Sequence, residues 1–244
     1  MTDRETVQLE AGFVLHQRPY RNTSQLVDCL TENHGVITLV AQGSRRPGAG
    51  QRAALQPFSS LYLSWVRRGE LGRLTHAEAK PPAMMLSGEA LLAGFYLNEL
   101  LLRLMGRGDA NAPAYSCYSR CLADLAHPSE TSRALRLFEL RFLEALGYGL
   151  GLEQDVETGD PIRPQGRYRF KPEHGISIQA ESASGPDIFS GRELISLREE
   201  RLDDEGSLKA AKRLLRRALS VYLGERPLST RSVLKDVYGR GLKP

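Results

Sequence analysis

Cysteine is scarce in this chain. Its 244 residues hold three, Cys29, Cys117 and Cys121, an odd number that offers no disulfide framework. Cys117 and Cys121 stand four apart in "YSCYSRCLADL", on one face of a helix. They could begin a metal site, but no second thiol pair and no nearby histidine completes it. Small, partly buried helix residues are the plainer reading. The five histidines, His16, His34, His76, His127 and His174, are scattered and form no His-Glu-x-x-His spacing. No Gly-x-Ser-x-Gly elbow occurs, and the one Gly-rich loop lacks the Gly-Lys-Ser/Thr ending of a phosphate loop. Nothing assembles a nucleophile, a base and an orienting group. Long apolar runs are missing as well: none nears the roughly 18 residues that span a bilayer. The opening "MTDRETVQLE" is polar and partly acidic, unlike a secretory signal. A cytoplasmic location, without membrane or small-molecule substrate, is therefore expected.

Excess charge of one sign is also small. The formal net charge is +4 and the isoelectric point about 9.0, with 25% charged and 41% hydrophobic residues. That composition is ordinary for a globular protein of one or two domains. What matters is where the charge sits.

Residues 11–79 alternate between short apolar segments and turns. "GFVLHQR", "SQLVDCLT", "GVITLVAQG", "SSLYLSWV" and "ELGRLTHAE" read as five strands. In "LYLSW", Leu61, Leu63 and Trp65 alternate with Tyr62 and Ser64, which predicts one buried face. Five short strands in so few residues point to a small barrel of the nucleic-acid-binding OB-fold type. Pro81-Pro82 closes this region, giving domains 1–80 and 83–244, and the period changes to that of helices.

From Ser87, Leu91, Phe95, Asn98 and Leu102 fall on one predicted helix side. Ser87 can cap that helix, but Ala90 leaves it without a reciprocal capping box. A second helix is predicted over about Ala114–Ala126. In a third, Leu135, Phe138, Phe142 and Leu146 share helical spacing up to Gly147. Residues 150–190 lose this period and read as an irregular loop or hairpin insertion, with strand-like pieces at Tyr168–Phe170 and Ile176–Ile178. Helical character returns in "SGRELISLRE" and "SLKAAKRLLRRALSVYLG", and Thr230–Tyr238 suits a short closing helix. The class is thus α+β and multidomain, a barrel followed by an α-helical bundle. The acidic run Asp203-Asp204-Glu205 suits the start of a helix, with a metal site as the alternative.

The positive charge does gather. Arg18, Arg21, Arg45, Arg46, Arg52, Arg67, Arg68 and Arg73 crowd the strand ends and turns of the barrel region, with few acids nearby. Tyr20, Phe58, Tyr62 and Trp65 are interleaved. Guanidiniums pair with phosphate oxygens, and exposed rings stack on unpaired bases. Strand alternation already explains Phe58 and Trp65 as core. The arginines as a group favour phosphate contact, although a merely solubilising role for the loop stays open. A second basic feature is "LKAAKRLLRRAL". There Lys209, Lys212, Arg213, Arg216 and Arg217 share a helix flank opposite Leu208, Ala211, Leu215 and Leu219. Such a flank is either a solvated bundle face or a seat for a polyanion or acidic peptide.

The ordered segments "GFVLHQRPYRNTSQLVDCLTENHGVITLVAQGSRRPGA", "LQPFSSLYLSW", "GFYLNELLLRLM", "RLFELRFLEALGYGL" and "SGRELISL" resemble the RecO family of bacterial recombination mediators. The resemblance runs along nearly the whole chain. It implies an N-terminal OB-fold, a helical domain and a non-catalytic role. That role is binding single- and double-stranded DNA, annealing complementary strands, and acting with RecR to load RecA on DNA coated by single-stranded DNA-binding protein (SSB). It further implies a basic, apolar pocket for the acidic SSB tail. The family motif places Arg136, Leu140 and Lys209 in that pocket, and helix geometry adds Arg213. Arg45, Arg46 and Arg52 would then flank the DNA track. Some members carry a four-cysteine zinc module after the third helix. Here "GLEQDVETGDPIRPQGRYRFKPEHGISI" has no cysteine, so neither zinc nor another cofactor is expected. A metal-dependent nucleic-acid enzyme and a protein adaptor that ignores DNA remain the alternatives.

Overall fold

The computed structural model describes residues 5–46, 54–69, 71–81 and 85–230. They fall in two compact units, one within Met1–Pro128 and Pro227–Pro244, the other Ser129–Arg226.

In the first unit, β1 (Glu5–Tyr20), β2 (Ser24–Thr31), β3 (Gly35–Ala41), β4 (Ser60–Arg67) and β5 (Gly72–Ala79) close into a barrel in the order β1-β2-β3-β5-β4. Every ladder is antiparallel except β3 with β5. This is the five-stranded OB-fold barrel. Alternation drives it: Val27, Cys29, Ile37, Leu39, Leu61, Leu63 and Trp65 fill the interior, while their neighbours face out. Strand β1 reaches further than the heptapeptide read from sequence because it serves two partners. Register shifts between Val7 and Glu10 and between Val14 and His16 bend it, as bulges do. Its first half then pairs with β4 and its second with β2. The barrel closes through a short β3–β5 ladder of two residue pairs, Leu39–Gly72 and Val40–Arg73.

Helices α1 (Gly88–Leu104) and α2 (Ala112–Leu125) belong to the same unit. The expected stripe of α1 is corrected. Ala90, Ala93, Gly94, Leu97, Asn98 and Leu101 are among its buried residues, whereas Phe95 is 39% exposed. Small residues win that face because the helix lies close to its neighbours. A Cβ on Gly94 would come within 2.8 Å of the Phe58 ring. Asn98, placed on the expected stripe, is buried. Its amide donates to the Leu15 carbonyl (2.7 Å) and accepts from the Tyr118 hydroxyl (2.6 Å). Phe13 packs on Tyr115 and Tyr118 with ring centroids 5.4 and 5.2 Å away. Ser87 sits at the N-cap of α1 without a side-chain capping bond.

In the second unit, α3 (Thr131–Ala145) is followed by β6 (Arg167–Lys171), β7 (Gly175–Gln179), β8 (Ile188–Ser190), α4 (Gly191–Arg198) and α5 (Glu205–Leu223). The segment read as an irregular loop or hairpin insertion holds the β6–β7 hairpin, whose strands contain the strand-like pieces Tyr168–Phe170 and Ile176–Ile178, within an antiparallel sheet ordered β7-β6-β8. Its approach loop is organised by Asp155. That carboxylate is nearly buried and accepts from the amides of Glu157 (2.7 Å), Thr158 (2.9 Å) and Ile178. Helix α4 starts with a full capping box between Ser190 and Glu193. Asp204 caps α5 by accepting from the Ser207 amide at 2.9 Å, so that part of the acidic run serves a helix start. Among the described residues, no helix is long and apolar enough to cross a membrane. Of the expected closing helix Thr230–Tyr238, all but Thr230 lies outside the described residues.

Candidate nucleic-acid interface

Side chains paired across neighbouring strands share a face of the sheet. Arg18 on β1 pairs with Leu26 on β2, Leu26 with Val40 on β3, and Val40 with Arg73 on β5. Because Val27, Leu39 and Leu74 point into the core, this row points outward. Two guanidiniums therefore bracket a half-buried apolar floor of Leu26 and Val40. A second outward row runs His16, Asp28, Thr38.

The loops beside these rows add charge. The Arg45 amide donates to the Thr23 carbonyl at 3.0 Å, which sets the end of β3 against the β1–β2 turn. Arg21, Arg45 and Arg46 are exposed there, and the Arg21 guanidinium lies 5.2 Å from the Tyr20 ring centroid. The structure thus brings Arg18, Arg21, Arg45, Arg46 and Arg73 together around one end of the β1–β2–β3 face. Arg21, Arg45, Arg46, Arg68 and Arg73 form no ion pair among the described residues.

The other cations stand differently. Arg67 follows the inward alternation of Trp65 at the rim and is bound to Glu5 at 2.7 Å. Arg68 is exposed in the β4–β5 turn. Arg52 lies outside the described residues. Of the aromatics, Phe58 and Trp65 are core (4% and 1% exposed). Tyr20 and Tyr62 remain half-buried on the surface, Tyr62 with the Lys80 ammonium 5.4 Å from its centroid.

Arg18 is held by Asp28, whose carboxylate accepts its guanidinium at 2.6 Å. Burial raises the Asp28 carboxyl, but hydrogen bonds from Thr38, Arg107 and Arg18 outweigh it, leaving the group below the ordinary carboxylate range. Arg107, from the loop after α1, is the cation that sequence reading missed. It lies 79 residues from Asp28 along the chain, and only the folded path brings the two together.

In the second unit, the residues expected around an acidic tail divide. Arg136 is 8% exposed and paired with Glu139 at 2.9 Å, and Leu140 is buried. Lys209 and Arg213 are exposed. Lys209 holds Glu205 at 2.7 Å, while Arg213 lies 4.3 Å over the Phe189 ring and donates to the Ile188 carbonyl at 2.9 Å.

Burial, with the charge of Asp28 beside it, pushes the Cys29 thiol far up, away from the thiolate form. Among the described residues, no group of three or more His, Cys, Asp or Glu gathers as a metal site.

Comparisons with known proteins agree with this architecture. The family model for the recombination protein O N terminal matches residues 6–82, and that for the recombination protein O C terminal matches residues 85–232. A DNA repair protein RecO of Actinobacillus pleuropneumoniae is 40% identical over 95% of this chain and 96% of its own length. One of Coxiella burnetii is 41% identical over 96% and 100%. One of Nitrosococcus oceani is 42% identical over 95% and 94%. The chain belongs to the RecO family of recombination and DNA repair proteins.

Proposed function

We propose that this chain is a recombination mediator that binds single- and double-stranded DNA on the outer β1–β2–β3 face of its barrel and anneals complementary strands. The observation that carries the reading is the outward row Arg18–Leu26–Val40–Arg73, with Arg21, Arg45 and Arg46 beside it. Guanidiniums on phosphates lower the repulsion between two strands, and the apolar floor with Tyr20 offers contact to unpaired bases. No bond is made or broken. In the second unit, exposed Lys209 and Arg213 supply the cationic edge for the acidic tail of SSB, and Arg136 and Leu140 complete its pocket. Acting with RecR, the protein promotes loading of RecA on SSB-coated DNA in the cytoplasm, at the nucleoid.

The test is an annealing assay with bare and SSB-coated complementary strands, using SSB with and without its C-terminal tail. Annealing of both substrates, with coated strands depending on the tail, is expected. Failure on bare strands would overturn the DNA reading; equal activity with tailless SSB would overturn the tail reading.

A further inference from the structure

Arg107 reaches the barrel face from a loop that backbone contacts pin in place. The Gly108 amide donates to the Val36 carbonyl at 2.9 Å, and Val36 and Arg107 form an isolated bridge. Gly35, with φ of +62°, lets the loop lie this close. A Cβ there would fall 2.0 Å from the Asp109 carbonyl oxygen, so no other residue fits.

From that anchored loop the guanidinium crosses to β2 and β3. Its Nη1 donates to Asp28 Oδ1 at 3.1 Å and also meets the Thr38 hydroxyl. Thr38 in turn donates to Asp28 Oδ1 at 2.6 Å, and Arg18 Nη1 donates to Asp28 Oδ2 at 2.6 Å. His16 Nδ1 stands 3.6 Å from Oδ2. The Asp28 side chain is only 3% exposed, yet the side chains of Arg18 and Arg107 that it holds are 42% and 59% exposed. Each guanidinium carries five N–H donors, and these contacts engage one nitrogen of each. The rest stay available on the surface. The carboxylate is thus enclosed by its own donors, and the cluster turns two arginines outward beside the Leu26–Val40 floor.

We propose that Arg107 and Arg18 form a clamp for one phosphodiester of bound DNA, and that Asp28 is its positioning residue. The proposal rests on the DNA reading above and adds two residues to it. A guanidinium already fixed by a carboxylate loses less rotamer freedom when a phosphate arrives, and its fork suits two phosphate oxygens.

The test is DNA binding by the full chain across a salt series, with folding checked by thermal melts. Arg107→Ala should weaken affinity on the order of tenfold, the scale of one charge-assisted contact. It should also flatten the slope of log K against log salt by about 0.7 to 0.9, one phosphate's worth. Arg107→Lys should keep the slope and recover only part of the affinity. Thr38→Val, which leaves all charges unchanged, should weaken binding in the same direction. Asp28→Asn is the sharpest variant, because it makes the face more positive. Weaker binding by it supports positioning; tighter binding means the carboxylate only repels DNA, and the clamp is wrong. If the wild type binds with its normal slope and Arg107→Ala matches it, the clamp fails while the DNA reading stands. If the wild type does not bind, the DNA reading itself has failed. Inorganic phosphate should compete no better than chloride at matched ionic strength, and selective competition would reassign the cluster to free phosphate.

Discussion

The barrel face and the flank of α5 are both rich in cations, yet they hold them in different ways. On the barrel, the β-ladder spaces Arg18 and Arg73 across an apolar floor, and a turn brings Arg21, Arg45 and Arg46 alongside. On α5, the spacing is that of a helix. Lys209 leans on Glu205 one turn back, and Arg213 stands 4.3 Å over the Phe189 ring. On the proposed reading the barrel offers phosphates the exposed Arg21, Arg45, Arg46 and Arg73, which form no ion pair among the described residues, with Arg18 held by Asp28 beside them. On that reading the helix offers a short cationic edge, Lys209 and Arg213, to an acidic peptide. Counting positive residues would have treated the two as equivalent.

The comparison breaks most visibly under substitution of the free barrel arginines. Arg45→Ala, Arg46→Ala and Arg73→Ala together should weaken DNA binding roughly a hundredfold, with an unchanged melting temperature because all three side chains are exposed. A filter-binding or anisotropy titration decides it. If affinity holds, the track lies elsewhere.

In the second unit, Arg136→Ala should act first on stability. It removes the ion-pair partner of Glu139, a carboxylate with only 1% exposure, and breaking a buried pair costs on the order of 3–5 kcal/mol. Urea unfolding measures this. Loss of tail binding in that variant counts toward the pocket only if the double variant Arg136→Met, Glu139→Gln restores stability without restoring binding. Lys209→Ala, by contrast, should leave the melt unchanged and weaken only a labelled tail peptide.

A smaller effect concerns acid. The Asp28 carboxyl lies below its unfolded value of about 3.9, so its contribution to stability is complete above that pH. It is lost as pH falls through the lower folded value. A melt series from pH 5 to pH 2 should therefore show a steeper decline for wild type than for Asp28→Asn. Parallel curves would mean the carboxylate gains nothing from Arg18, Arg107 and Thr38.

Local patterns carried much of this fold. Alternation in "LYLSW" located a strand and its buried face, and the change of period after Pro81-Pro82 located the first helix. The Ser190–Glu193 box has such a local spacing too, but from sequence only a helix was read there. Features set by distant packing were not readable in this way. The buried side of α1 was misjudged at Phe95, which is 39% exposed because small residues take the close-packed face, whereas Asn98 was placed on the stripe and is buried with Leu15 and Tyr118 as partners. In the second unit, Arg136 and Leu140 belong largely to the interior. Of the barrel cations, Arg18 and Arg67 have acidic partners on neighbouring strands, and no local motif announces such pairs. Arg107 could be found only after Gly35 and Gly108 had placed its loop.

The most direct test of the different roles of the two cation sets is the salt dependence of single-stranded DNA binding. Three proteins are compared: the wild type, the barrel triple variant, and an α5 variant carrying Lys209→Ala, Lys212→Ala and Arg216→Ala. The barrel variant should lose roughly two units from the slope of log K against log salt, about 0.7 for each phosphate contact on a single strand. The α5 variant should keep the wild-type slope. Equal losses in both, or a loss confined to α5, would contradict the assignment of DNA to the barrel face.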